Sequence, residues 1–177
     1  MMKMKKLKLS FLLLPLIAAI GLLVAACSSD EEIAEDVAVD FYLSNEHGER
    51  ANSFKCNENI YFNISLRNYS DKAICISDEN EPNMIMTVFG VFASDGNWVG
   101  FPYDSFSITD GNWELERNSV VNWHTCWMVH QTKNRDCSPF YMESLKDSLP
   151  KGEYYTEFSF LLNNEKKSYK VFFKIEE

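Results

Sequence analysis

The sequence predicts an all-β domain, a sandwich of seven to nine short antiparallel strands. Three observations lead to it. Ile60, Phe62, Ile64 and Leu66 alternate with Tyr61, Asn63, Ser65 and Arg67, the period-two pattern of a half-buried strand. Turn compositions recur between apolar runs, at Asn68-Tyr69-Ser70-Asp71, Ser94-Asp95-Gly96-Asn97 and Asp110-Gly111-Asn112. The C-terminal part reads as one long hairpin, Tyr154 to Leu162 and Ser168 to Ile175 around Asn163-Asn164-Glu165.

In chain order, Val37, Val39, Phe41 and Leu43 form the first alternating strand, and the polar stretch Ser44 to Asn52 is a loop. Ile60 to Leu66 follows. Ala73 to Ile76 reads as its return strand in a hairpin, with Cys75 opposite about Ile64. Met84 to Ala93 is apolar, short and rich in β-favouring residues, so it is a strand rather than a helix. Ser94 to Asn97 turns it into Trp98-Val99. Phe101 to Asn112 is short and irregular. Ser119 to Val129 is a tryptophan-bearing strand, and Gln131 to Leu149 is the least regular part, with one helical turn expected around Met142 to Lys146. There is no internal repeat, no heptad pattern and no linker that would split the body.

One motif sharpens the fold. Leu149-Pro150-Lys151-Gly152-Glu153-Tyr154 resembles the tyrosine corner of Greek-key sandwiches, in which a tyrosine hydroxyl returns to a backbone group upstream. The resemblance implies an Ig-like antiparallel β-sandwich with Gly152 and Tyr154 as its structural corner. Thr156 stands where an antibody domain would carry its second core cysteine, so that disulfide is not expected. Asn57 to Ile76 is similar to the early strands of bacterial Ig-like and proteinase-inhibitor-like sandwiches.

The N-terminus has a different character. Lys3, Lys5, Lys6 and Lys8 precede an uncharged run, Phe11 to Ala26, which ends in Val24-Ala25-Ala26-Cys27 and then turns polar at Ser28-Ser29-Asp30-Glu31-Glu32. Basic, apolar and small-residue regions in that order mark a secretory signal, and the run falls short of the ~20 residues that span a bilayer as a helix. The stretch resembles the signal peptidase II lipobox of bacterial lipoproteins, which implies cleavage before Cys27 and lipidation of its sulfur and new amine. The acidic stretch after Cys27 is similar to the surface-export signal of Bacteroidetes lipoproteins. The expected organisation is a signal peptide over 1–26, a lipidated acidic tether over 27–36 and a single sandwich domain over 37–177. The membrane partner would be reached through covalent lipid on Cys27, with the protein on the outer membrane and facing either the cell surface or the periplasm.

Composition narrows the function. Four of the 17 basic residues and none of the 26 acidic ones lie within 1–26, so the remainder carries a formal charge of −13. Such acidity argues against nucleic acid, whose recognition needs a basic surface. No HExxH, GxSxG or phosphate-cradling glycine loop occurs, so no catalytic residue, metal or cofactor is expected. His124 and His130 share strand parity but would lie ~20 Å apart along a strand, too far for one metal. The aromatics Trp98, Phe101, Tyr103, Phe106 and Trp113 cluster in the irregular middle. Of these Trp98, Phe101, Tyr103 and Trp113 are candidates for stacking on a sugar, with Asp104, Asp110 and Glu114 as acceptors, and the site is expected in loops rather than on regular strands. Core filling by the same aromatics is the competing reading. Cys56, Cys75, Cys126 and Cys137 allow disulfides in an exported chain, with Cys126–Cys137 the favoured pair. Asp147-Ser148-Leu149 is similar to the Bacteroidetes O-glycosylation tripeptide, which implies modification at Ser148.

The reading that unites these features is a lipid-anchored, non-enzymatic binding module for a glycan or protein partner. A proteinase-inhibitor-like sandwich and a structural subunit of a surface assembly are the alternatives. Cys27→Ala is expected to leave an uncleaved precursor that takes up no radioactive fatty acid. Equal acyl labelling of variant and wild type would refute the lipobox.

Overall fold

The computed structural model describes residues 33–34, 36–77, 89–106, 113–132, 141–162 and 165–177. They belong to one compact unit, Glu31–Glu177, and hold thirteen strands and no helix. The first seven are β1 (Ile33–Ala34), β2 (Val37–Ser44), β3 (Ser53–Lys55), β4 (Ile60–Asn68), β5 (Ile74–Ser77), β6 (Gly90–Ala93) and β7 (Trp98–Gly100). The rest are β8 (Ser105–Phe106), β9 (Trp113–Leu115), β10 (Val120–Trp127), β11 (Tyr141–Met142), β12 (Gly152–Leu162) and β13 (Glu165–Glu176). The count exceeds the seven to nine expected because several of these strands are only two or three residues long.

Two larger sheets and one small one result. The first has the order β1-β2-β4-β10 and is antiparallel throughout. The second runs β3-β13-β12-β5-β9, with β6 also on β12 and β7 on β6. β12 is the spine of this sheet. It pairs with β13 along its whole length, from Gly152↔Ile175 to Leu162↔Glu165. Its other edge is divided between β6 at Tyr154 to Glu157 and β5 at Leu161 and Leu162. β8 and β11 form the small third sheet.

The alternation that marks β2 and β4 in the sequence puts Val37, Val39, Phe41, Leu43, Ile60, Phe62, Ile64 and Leu66 into one core. That core is shared with Phe158, Phe160 and Leu162 of β12 and with Phe173 and Ile175 of β13. Phe89 sits between the sheets, its ring centroid 5.7 Å from Phe41, 6.0 Å from Phe62 and 6.1 Å from Phe158. Fully burying a side chain of this size stabilises by about 1.5–3 kcal/mol.

The expected Ile60–Ile76 hairpin does not form. β4 pairs with β2 and β10, whereas β5 lies in the other sheet. The reason is Asn68, buried at the end of β4. Its Nδ2 donates to the carbonyls of Lys72 (2.7 Å), Leu115 (3.0 Å) and Glu116 (3.1 Å), and its Oδ1 accepts from Ser70 N and Oγ, both at 2.8 Å. The segment Asn68–Lys72 is thereby tied to the end of β9 and carried across to the second sheet instead of folding back. The helical turn expected around Met142 to Lys146 is absent too: Met142 is in β11 and Leu145 makes a parallel bridge to Met128.

At the start of β12, Tyr154 Oη donates to the Pro150 carbonyl at 2.8 Å. The β6–β7 turn has the geometry its sequence implies, with Ala93 N to Asn97 O at 2.9 Å, Gly96 at φ +87° and Asp95 Oδ1 accepting from Asn97 N at 3.0 Å. Tyr154→Phe removes one partly buried hydrogen bond and should cost about 1 kcal/mol in chemical denaturation. Asn68→Ala strands the buried Leu115 carbonyl and the part-buried carbonyls of Lys72 and Glu116, and should cost more, about 2–4 kcal/mol. Equal and negligible costs for both would reject the structural roles of these two hydrogen-bonding side chains.

Candidate functional site

Two aromatic pairs in the sequence, Tyr154-Tyr155 and Phe172-Phe173, lie on regular strands. Neighbouring residues of a strand point to opposite faces, so one member of each pair has to face outward. Tyr154 and Phe173 face the core, with ring centroids 5.5 Å apart. Tyr155 and Phe172 therefore occupy the outer face, 5.9 Å apart.

Cross-strand register extends that outer pair into a row. Tyr155 lies opposite Phe172 on one side and Phe92 on the other, and Phe92 lies opposite Trp98. The Phe92 and Tyr155 rings are 5.0 Å apart and nearly parallel, at 9°. Trp98 meets Phe92 edge-on at 5.1 Å and Phe101 at 4.6 Å. Phe101 in turn stacks on Tyr103. The row thus crosses four adjacent strands of the second sheet. Its ends are open: Phe172 is 65% exposed, Trp98 50% and Phe101 38%. Apolar exposure concentrated in this way marks a binding surface more often than scattered single residues do.

A glycine sets the posture of Trp98. A Cβ on Gly90 would come within 2.8 Å of the Trp98 benzo ring and 2.9 Å of the Phe92 ring. The indole therefore rests in the space that the missing side chain leaves over β6, with half of its residue surface still open to solvent. Charged groups flank the row. Glu157, opposite Gly90 in register, pairs with Lys170 at 3.3 Å. The Lys170 ammonium sits 4.0 Å from the centre of the Tyr155 ring.

The sequence-predicted residues divide. Trp98 and Phe101 are on the exposed row. Tyr103 is 4% exposed, covered by Phe101 and Tyr141, so it supports the row from beneath and is not a stacking face. Burial pushes its hydroxyl pKa well above the ordinary phenol range. Trp113 begins β9, opposite Ile76 and away from β6 and β7, and its side chain lies outside the described residues. Trp123 and Trp127 share the inner face and belong to the core. The candidate row departs from the expectation that the site avoids regular strands, because Phe92, Tyr155 and Phe172 all stand on paired strands. The adjacent aromatic pairs were the signal for two of them.

The other candidates are dispersed. Asp104 pairs with Lys146, whose hydrogen bond, with one from Ser144, holds the carboxyl below its ordinary value. Glu114 is exposed on β9, and Asp110 lies outside the described residues. His124 lies opposite Asn63, while His130 Nε2 is 2.6 Å from Glu46. Cys56 and Cys75 carry free thiols, and Cys126 is buried opposite Tyr61. Cys137 and Cys27 lie outside the described residues. Ser148 is exposed in the segment before β12, between Asp147, whose carbonyl accepts from Trp127 Nε1 at 2.9 Å, and buried Leu149. Gly152 opens β12 beneath the Tyr154 ring.

No protein-family model and no curated protein sequence matches the chain. Among solved structures, it is similar to the C-terminal domain of Wzt, with a TM-score of 0.42 and 11% identity over 80% of this chain and 74% of that one. It is also similar to a structural-genomics target, SoR45, with a TM-score of 0.33 and 11% identity over 77% and 85%. A third likeness is to a family 123 glycoside hydrolase from Clostridium perfringens, studied for glycolipid glycan hydrolysis. There the TM-score is 0.39 and the identity 8%, over 80% of this chain and 27% of the enzyme.

An exposed row is separable from the core by stability. Trp98→Ala and Phe172→Ala should each cost about 1 kcal/mol or less, the size of a surface aromatic contact. Trp127→Ala, which empties a core site and removes the bond to Asp147, should cost about 3–5 kcal/mol. Urea denaturation of the three variants measures the contrast, and equal losses would make the row structural.

Proposed function

We propose that the chain is a lipid-anchored, non-enzymatic binding module of the outer membrane or cell surface, which presents the outer face of its second sheet to a glycan. The observation that carries this reading is the register-aligned row Phe172–Tyr155–Phe92–Trp98–Phe101, open to solvent at both ends. Aromatic faces and edges gain little from this exposure unless a ligand covers them, and sugars offer matching apolar C–H surfaces. Anchoring rests on the lipobox ending at Cys27, since two or more acyl chains hold a protein on a membrane stably. The Ig-like Greek-key reading of the fold draws support from the Tyr154–Pro150 bond and from the two sheets sharing one core. The sequence motif at Ser148, on an exposed segment, supports O-glycosylation there.

Docking of a protein is the second reading. It is favoured by ring planes that cross at 72° and 71° around Trp98, which suit irregular side chains better than one long flat chain of sugars. A donated strand fits less well. β3 pairs with β13 only at Lys174 to Glu176, and the stretch of β13 before it carries Lys166, Lys167 and Lys170. Lysines of that kind keep a strand edge solvated and resist added strands.

The test is a glycan array probed with the full-length protein, held in a polyoxyethylene detergent that carries no sugar. Wild type should bind at least one glycan class, and the double variant Trp98→Ala/Phe172→Ala should lose it while remaining folded. Undiminished binding by the double variant, or no binding by wild type, would overturn the glycan reading.

A further inference from the structure

The row is not a uniform platform, and the difference between its two ends carries a more specific inference. Phe92 and Tyr155 stack on each other, so one face of each is engaged, and Lys170 also sits over the Tyr155 ring. Phe172 tilts by 51° from Tyr155 at the β13 end. Trp98 alone lies over a position without a side chain, Gly90, which lets the indole lie low on the sheet while half of its residue surface stays exposed. Beside that seat, one strand away (~4.8 Å), stands Glu157, directly opposite Gly90 in register. Its carboxylate accepts hydrogen bonds only, at up to four lone-pair positions, and one of its oxygens is engaged by Lys170 at 3.3 Å.

We infer that Trp98, Gly90 and Glu157 form a subsite for one neutral sugar ring, stacked on the indole with its hydroxyls donating to Glu157. This rests on the proposed glycan reading and narrows it to the ligand class. A lone face bounded by crossing rings fits a single terminal pyranose, not the backbone of a long polymer. Vicinal hydroxyls are donors in the spacing a carboxylate accepts. Neutrality follows from charge: Lys170 offsets Glu157 and Lys174 lies opposite Glu153, Asp95 lies in the β6–β7 turn, and the chain beyond residue 26 carries −13, so an anionic sugar would be repelled. Phe172 lies three strands from Trp98 and outside the subsite.

The test uses full-length protein and single variants on an array of neutral, uronic-acid and sulfated glycans, with the free monosaccharide of the best hit as competitor. Trp98→Ala should weaken binding about tenfold or more, and Glu157→Gln about fivefold, as stacking and charge-assisted hydrogen bonds of ordinary strength imply. Gly90→Ala, which pushes the indole off its seat, should match Glu157→Gln or exceed it. Phe172→Ala should stay within about twofold of wild type, because it removes no contact to the sugar. The free monosaccharide should compete. If Phe172→Ala costs as much as Trp98→Ala, the whole row binds and the single-ring subsite is wrong, while the glycan reading survives. A neutral Glu157→Gln, a preference for anionic glycans or failure of the monosaccharide to compete also overturns the subsite. Glu157 is on the surface, so its variant decides the matter even if Gly90→Ala does not fold. Binding of no glycan by wild type overturns both.

Discussion

A single hydrogen bond sets the phase of the strand on which the second sheet is built. Tyr154 Oη reaches back to the Pro150 carbonyl and turns its ring toward the core, where it meets Phe173. Because strand residues alternate, Tyr155 then has to face solvent, and the register with β13 brings Phe172 beside it. A slip of one residue would reverse both pairs, burying the outer rings and exposing the inner ones. The same phase places Thr156, Phe158, Phe160 and Leu162 inside and Glu157 outside. Core and candidate site are thus two sides of one choice of register.

Polar side chains make the connections that apolar alternation alone leaves open. Asn68 holds the passage from the first sheet to the second by bonding Lys72, Leu115 and Glu116. Asn59, also buried, secures the end of β10 by donating to His130 O at 2.8 Å and accepting from Val129 N at 2.7 Å. Each amide serves partly or fully buried backbone groups, and a fully buried group left without a partner costs about 1–3 kcal/mol. Phe89 fills the space these crossings enclose, touching both sheets and Tyr141.

The outer surface of the second sheet balances two demands. An apolar row on a sheet face invites association, whereas the lysines of β13 and the Glu157–Lys170 pair keep its surroundings solvated. Lys170 serves both, as the ion-pair partner of Glu157 and as the cation above Tyr155. The missing side chain at Gly90 leaves room for the Trp98 indole to pack close over β6.

Much of this was legible in the residues themselves. The alternation of β2 and β4, the Asp95-Gly96 turn, the terminal hairpin and the Tyr154–Pro150 bond are local patterns that the sequence shows directly. So is the proposed lipobox, for which chain order is the whole signal. Trp98 and Phe101 also stood out as aromatics in an irregular stretch. By contrast, the sequence could not place Phe92 beside Tyr155, Tyr103 beneath Phe101, or β5 in the sheet opposite β4. The adjacent aromatic pairs at 154–155 and 172–173 required that one ring of each face outward, but not which ring or what stood next to it. Those facts belong to strand pairings between residues far apart in the chain. They are decided by which faces can be buried together and by buried amides such as Asn68, whose carbonyl partners exist only once the sheets have met.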